Sequence, residues 1–166
     1  MNCCRIRQCK ILITSYLVFV NTTPLQHINL VDDDLDEQNI FCAAVRIVAP
    51  KSTVTCNSSC EELLNELINP VSVPEIIFMD INMPRVKGHE CLCRLYNNEV
   101  WKGIPVIMYS NSSLTADIDL AFKNGAVNYM AKPTRFKQLQ NMVEVALSRN
   151  YKTHQRIREN FVLPYN

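Results

Sequence analysis

The chain holds 166 residues, 48% of them hydrophobic and 20% charged, enough apolar matter for one ordinary domain and too much for a disordered tail. Three glycines and eight prolines exclude collagen-like and glycine-rich linker architectures. A net charge of +1 gives no reason to expect a nucleic-acid partner, although the ends are basic and the body between them is acidic.

Residues 1–26 carry Arg5, Arg7 and Lys10 ahead of an apolar run from Ile11 to Val20. A basic start before an apolar run is how an export signal opens. A helix of that length reaches about 15 Å, against a hydrocarbon core of about 30 Å. Val18-Phe19-Val20-Asn21-Thr22 also lacks the small-residue cleavage pattern. The expectation is an N-terminal extension outside the fold: an appended segment, an extra helix or strand, or a start assigned too far upstream. No membrane association is expected, and the location expected is cytoplasmic.

From Gln26 onward short β-type runs alternate with helix-length amphipathic segments, the pattern of a parallel sheet covered on both faces. The strands expected are His27–Val31, Ser52–Cys56, Glu75–Met79, Pro105–Tyr109 and Val127–Met130. The helices between them are Leu35–Val48, Glu61–Ile68, Gly88–Tyr96, Leu114–Lys123 and Phe136–Arg149. Ser58 or Ser59, three residues before Glu61 or Glu62, makes a capping box for the second helix. Lys123-Asn124-Gly125 stops the fourth, with glycine in the position that ends helices. One α/β domain over residues 27–150 follows, with residues 151–166 as a C-terminal tail. Arg149, Lys152, Arg156 and Arg158 continue the last helix or lie in a solvated tail.

Eight cysteines stand at positions 3, 4, 9, 42, 56, 60, 91 and 93. A chain of this size folds without disulfide staples, and no two-residue zinc spacer occurs. His89, Cys91 and Cys93 form a loose cluster whose spacing fails the metal-ligand pattern. Buried or idle thiols are the expectation.

In an open parallel sheet, ligands bind beyond the carboxyl ends of the strands. The first run ends in Asp32-Asp33-Asp34, the third in Asp80, the fourth in Ser110, and the fifth leads through Ala131 to Lys132-Pro133. Singly, each has an ordinary role: aspartate caps helices, serine starts turns, lysine solvates edges. Together they place acids, a hydroxyl and an ammonium on one edge. Clustered carboxylates repel unless a cation joins them, and hard oxygen ligands suit Mg²⁺. A carboxylate can also attack phosphorus to give an aspartyl-phosphate, and phosphoryl transfer needs mainly positioning and charge neutralisation.

Four segments carry a resemblance: Ile28–Asp34, Phe78–Pro84, Ile104–Ser110 and Gly125–Pro133. In this order and spacing, residues 26–150 resemble a receiver domain of the two-component response regulators, in particular the stand-alone, chemotaxis-regulator type. That resemblance implies a flavodoxin-like, doubly wound α/β fold with a five-stranded parallel sheet in the order 2-1-3-4-5 and helices on both faces. It implies that Asp32 and Asp33 form the acidic pocket for Mg²⁺, that Asp80 accepts the phosphoryl group, and that Asn82 offers its backbone carbonyl to the metal. Ser110 is then the switch hydroxyl, Tyr129 the switch aromatic that turns from solvent toward the core, and Lys132 the phosphate-pairing lysine, followed by a cis peptide to Pro133. Gly88 matches the turn glycine after the phosphoacceptor loop.

The chain departs from the family at Asn111, where a small residue often admits the incoming phosphoryl group. The implied function is a phosphorylation switch rather than a metabolic enzyme. It takes its phosphoryl group from a histidine kinase or phosphotransfer protein. It signals to a protein partner through the Leu114–Lys123 helix, the Val127–Met130 strand and the Phe136–Arg149 helix. Two other classes stay open. An aspartyl-phosphate phosphohydrolase of the haloacid-dehalogenase type would carry a second aspartate where Asn82 stands, and a phosphate-independent scaffold would have no need of Asp33, Asp80, Ser110 and Lys132 together.

Overall fold

Runs such as Ile76-Ile77-Phe78-Met79 are apolar on both faces, so they can be buried only between two helical layers. The computed structural model, which describes residues 26–153 and 155–164, shows that arrangement. The expectations for residues 1–25 lie outside the described residues. In chain order the elements are β1 (His27–Val31), α1 (Leu35–Val48), β2 (Thr53–Asn57), α2 (Cys60–Ile68), β3 (Ile76–Met79), α3 (Gly88–Tyr96), β4 (Val106–Ser110), α4 (Thr115–Lys123), β5 (Asn128–Ala131) and α5 (Phe136–Ser148). The strands are parallel and ordered β2-β1-β3-β4-β5, the flavodoxin-like order expected.

Strand side chains alternate between two cores, as a period of two requires. Ile76 and Phe78 of β3 face one layer and Ile77 and Met79 the other. One core joins the sheet to Phe41, Val45 and Val48 of α1 and to Leu139, Val143 and Leu147 of α5. Phe41 is its hub, with its ring 4.8 Å from Phe78 and 5.5 Å from Tyr109. The other core takes Leu63 and Leu67 of α2, Leu92 and Leu95 of α3 and Ala121 of α4.

Helix ends follow local chemistry. Asp34 caps α1 by accepting from the Asp36 and Glu37 amides, so the third acid of the Asp32-Asp33-Asp34 run serves the helix. Ser59 caps α2 through the Glu62 amide, while the Glu62 carboxylate accepts from the Ser58 amide. Gly125 follows α4 at φ +101°, with Ala126 donating back to Ala121 and Gly125 to Phe122, the left-handed stop expected there.

Two expectations about the fold need correction. Cys60 and Cys91 are not idle thiols: the first turns of α2 and α3 pack side by side, and their sulfurs form a disulfide with Cα atoms 5.7 Å apart. That proximity comes from helix packing across 31 residues of sequence, which spacing alone cannot show. Cys42 and Cys56 stay reduced with their sulfurs 3.6 Å apart, and burial together with Cys42 pushes the Cys56 thiol up to about 12.

The C-terminal segment is not a solvated tail. β5 is the last strand of the sheet, and an edge strand presents unpaired N–H and C=O groups. Here the Tyr129 amide donates to the Phe161 carbonyl and the Leu163 amide donates to the Tyr129 carbonyl, both at 2.8 Å. Phe161 and Leu163 are fully buried, one in each core.

Candidate functional site

Parallel registry brings the strand ends together. Val31 pairs with Met79, so Asp32 and Asp80 emerge side by side from β1 and β3. Ser110 pairs with Ala131, and the Lys132 amide then donates to the Ser110 carbonyl at 2.8 Å. The four strand-end groups expected from the sequence therefore share one edge.

Asp32 is buried and fixed on several sides. Its Oδ1 accepts from the Asp34 amide at 3.0 Å, and its Oδ2 accepts from Lys132 Nζ at 2.7 Å. Its carbonyl accepts from Gln38 Nε2 at 2.6 Å, a support from α1 that sequence reasoning did not pick out. Lys132 Nζ also lies 3.9 Å from Asp80 Oδ2 and 5.0 Å from the centre of the Tyr109 ring. Its side chain is only 4% exposed, so both ion pairs are screened little by water.

Asp80 is tied to the main chain of its own loop and faces Lys132. Its Oδ1 accepts from the Ile81 amide at 2.7 Å, leaving Oδ2 toward Lys132. Burial holds its carboxyl above the ordinary range, Lys132 pulls it back, and the Asp32 charge raises it again. A buried charge under such opposition makes the folded state less stable than a neutral isostere would. Asp80→Asn keeps the acceptor for the Ile81 amide and should gain on the order of 1 kcal/mol. A thermal melt of the metal-free protein should show a rise of about 2–4 °C. A fall would mean that Asp80 stabilises the fold.

Oxygen atoms of Asp32, Asp33 and Asp80 lie within 4.8 Å of one another, and Asp33 is exposed at the rim. Among the described residues this is the one such group of potential metal ligands. The all-carboxylate donor set, with an open side at Asp33, fits a hard divalent cation. The His89, Cys91 and Cys93 cluster does not assemble as a ligand set, since Cys91 is bonded to Cys60. Both ring nitrogens of His89 lack a hydrogen-bond partner, and burial lowers its pKa.

The loop after β3 is tightly packed. The Gly88 amide donates to the Ile81 carbonyl at 3.0 Å, and a Cβ on Gly88 would lie 2.0 Å from the Asp80 carbonyl oxygen. Arg85, at φ 64°, sits in the left-handed region that costs an ordinary residue roughly 1–2 kcal/mol. Such strain concentrates at functional loops. Asn82 lies exposed in the same loop, two residues beyond Asp80, and Asn111 is exposed after Ser110.

Ser110 is fully buried, and its Oγ accepts from the Ser112 amide at 3.2 Å. Tyr129 is already inside the protein, with its hydroxyl donating to the Ser112 carbonyl at 2.7 Å. The expectation that it starts from solvent is therefore corrected: its ring is fully buried in the core that also holds Phe161. Ser112 in turn donates to Asp117 of α4. The expected cis bond is also corrected. No peptide among the described residues is cis, so Lys132–Pro133 is trans, the isomer X–Pro bonds favour by about 0.5–1 kcal/mol. No helix among the described residues is long and apolar enough to cross a membrane.

Comparison with known proteins agrees with this geometry. The family model described as the response regulator receiver domain matches residues 28–144. The chain is 33% identical over 73 residues to the probable methanogenesis regulatory protein FilR2 of Methanothrix harundinacea, covering 44% of this chain and 47% of that protein. It is 25% identical over 118 residues to the two-component response regulator-like PRR37 of Oryza sativa, covering 68% of this chain and 15% of that protein. The chain thus spans less than half the length of these relatives. Among solved structures, the phosphorylated cyanobacterial phytochrome response regulator RcpA superposes with a TM-score of 0.68 at 23% identity, covering 74% of this chain and 91% of that one. The chemotaxis response regulator CheY4 of Vibrio cholerae gives 0.64 at 17% identity, with 74% and 98% covered. The family match spans the sheet from β1 to α5 and includes every strand end of the acidic site, and the chain belongs to the response regulator receiver domain family.

Proposed function

We propose that this chain is a phosphorylation switch that accepts a phosphoryl group on Asp80 from a phosphohistidine donor, a histidine kinase or a phosphotransfer protein. The observation that carries the reading is the asymmetry of the Asp80 carboxylate. One oxygen is tied to the Ile81 amide, and the other lies 3.9 Å from a buried ammonium. The Asp80 oxygen attacks phosphorus, the phosphorus–nitrogen bond of the donor breaks, and the released imidazole takes up a proton. Lys132 pairs with the equatorial oxygens as a point charge, and Ser110 donates its hydroxyl to one of them.

Asp32, Asp33, Asp80 and the Asn82 backbone carbonyl would hold Mg²⁺, which neutralises charge on the transferring group. A receiver-like neighbour of this chain, the response regulator Rcp1, has been solved in an Mn²⁺-bound form; it superposes with a TM-score of 0.68 at 20% identity and covers 80% of this chain and 99% of that one. The signal then passes to a protein partner through the surface of α4, β5 and α5. The chain acts as a signal carrier with self-phosphorylation and autodephosphorylation chemistry, in the cytoplasm where such donors work.

The test is labelling with acetyl phosphate with and without Mg²⁺, located by mass spectrometry after borohydride trapping. Label should appear on Asp80 alone and vanish in Asp80→Asn and on chelation. Turnover of generic phosphate esters would favour a phosphohydrolase, and label elsewhere would sink the assignment.

A further inference from the structure

The face formed by α4 and the β5 edge carries a segment of this chain's own. Residues 156–163 cross it, and their attachment is built from several independent contacts. The Tyr129 main chain pairs with Phe161 and Leu163 through both its amide and its carbonyl. Asn128 Nδ2 donates to the Asn160 and Phe161 carbonyls at 3.1 and 2.8 Å. The Phe161 ring meets the Phe122 ring edge-on at 5.1 Å. Arg156 stacks on the other part of that cluster, 4.6 Å from the Phe122 ring, and donates to the Phe122 carbonyl at the end of α4, where the helix dipole favours a cation. Arg158 donates twice to Asp119 Oδ1, at 3.0 and 2.6 Å.

We propose that residues 156–163 are a displaceable strap that masks the β5 edge and the α4 C-terminus while Asp80 is unmodified, and that phosphorylation of Asp80 loosens it. The inference rests on the phosphoacceptor reading and adds to it what covers the signalling face and how it is uncovered. Tyr129 is the link. Its main chain holds the strap, while its hydroxyl is bonded to Ser112, whose amide is bonded to Ser110. When Ser110 turns its hydroxyl to a phosphoryl group, the Ser110–Ser112 segment moves and takes the Tyr129 hydroxyl with it. Phe161 and Tyr129 are both fully buried in one core, and interiors are close-packed, so displacement of Tyr129 disturbs Phe161. Of the anchors that remain, Arg158 to Asp119 is exposed and contributes little alone, so the buried Leu163 and Asn128 contacts and the half-buried Arg156 contact carry the hold that a shift of Phe161 must weaken. A released strap uncovers an unpaired strand edge and the Phe122 ring, a surface suited to a protein partner.

Amide hydrogen exchange on the full chain tests this, because the Leu163 amide is bonded to the β5 edge while that of Ile77 is bonded to Pro105 inside the sheet. Loading with acetyl phosphate and Mg²⁺ should speed Leu163 exchange about tenfold and leave Ile77 unchanged, within the usual range of coupling between sites. Arg158→Ser, which alters only an exposed pair, should speed Leu163 a few-fold without loading. Leu163 exchange that stays constant in a chain whose mass shows the phosphoryl group overturns the strap and leaves the phosphoacceptor reading standing. Acceleration shared equally by Ile77 overturns it too, as global loosening. A chain that gains no phosphoryl mass overturns the phosphoacceptor reading, and the coupling falls with it.

Discussion

Gly88→Ala is expected to lower stability by roughly 3 kcal/mol, the upper end of ordinary overpacking. Propensity alone gives the opposite sign. Gly88 is the first residue of α3, and alanine is the better helix former by about 0.8–1.0 kcal/mol in a helix interior. The added methyl decides the matter. It would lie 2.0 Å from the Asp80 carbonyl oxygen and 2.9 Å from Ile81 Cα, and both neighbours are main chain. A flexible side chain could swing away, whereas here the loop that carries Asp80 must move or α3 must lift from the sheet. The melting temperature should fall by roughly 6–12 °C at about 2–4 °C per kcal/mol. Labelling of Asp80 should fall with it, because the loop and the carboxylate move together. Gly103→Ala is the control, since no atom lies within 4 Å of its added methyl. An unchanged melting temperature in Gly88→Ala would show that the loop yields freely.

Much of this site could be read in the sequence because its residues sit where a period changes. Each strand is a short apolar run, and the first polar residue after it falls at the carboxyl end of the sheet. Asp32, Asp80 and Lys132 are found that way without knowing any contact. Strand bounds moved by one residue at β2, β3, β4 and β5, because main-chain pairing rather than hydrophobicity ends a strand. Helix α1 and helix α3 kept the expected bounds, α1 with an aspartate cap in front.

What stayed hidden depends on neighbours far away in sequence. Gln38 supports the Asp32 carbonyl only because α1 lies along β1. Cys60 and Cys91 meet only because two helices share a face. The strap offered one faint sign, the run Phe161-Val162-Leu163 before Pro164, too short to mark a strand by alternation. The basic residues after α5 pointed to solvent by composition, yet Arg156 binds the end of a helix and Arg149, at the end of α5, donates to Asn128. Tyr129 is expected in solvent because the receiver resemblance makes it a switch aromatic, whereas its ring is buried in the core that also takes Phe161.

Lys132→Met is expected to cost about 3–5 kcal/mol at neutral pH, the penalty for leaving a buried partner charge uncompensated. Lys132 is 4% exposed and lies within 2.7 Å of Asp32 and 3.9 Å of Asp80, so removing its charge strands two carboxylates in a site that water screens poorly. The deficit should depend on pH with a definite sign. The Asp80 carboxyl already stands above its ordinary 3.8, and Lys132 is the largest influence pulling it down. Without Lys132 it must rise further. An acid whose folded pKa exceeds its unfolded one binds protons more tightly when folded, so stability falls as pH climbs through that window. The variant should therefore approach the wild type below about pH 4 and show its full deficit at neutral pH. Urea unfolding at a series of pH values measures this directly. A deficit equal at every pH would make Lys132 a packing residue, held by its contact with the Tyr109 ring. Mg²⁺ supplies a second check, since a cation among Asp32, Asp33 and Asp80 replaces the missing charge. Millimolar-range Mg²⁺ should recover more stability in Lys132→Met than in the wild type, because the wild-type ammonium already neutralises part of the same site.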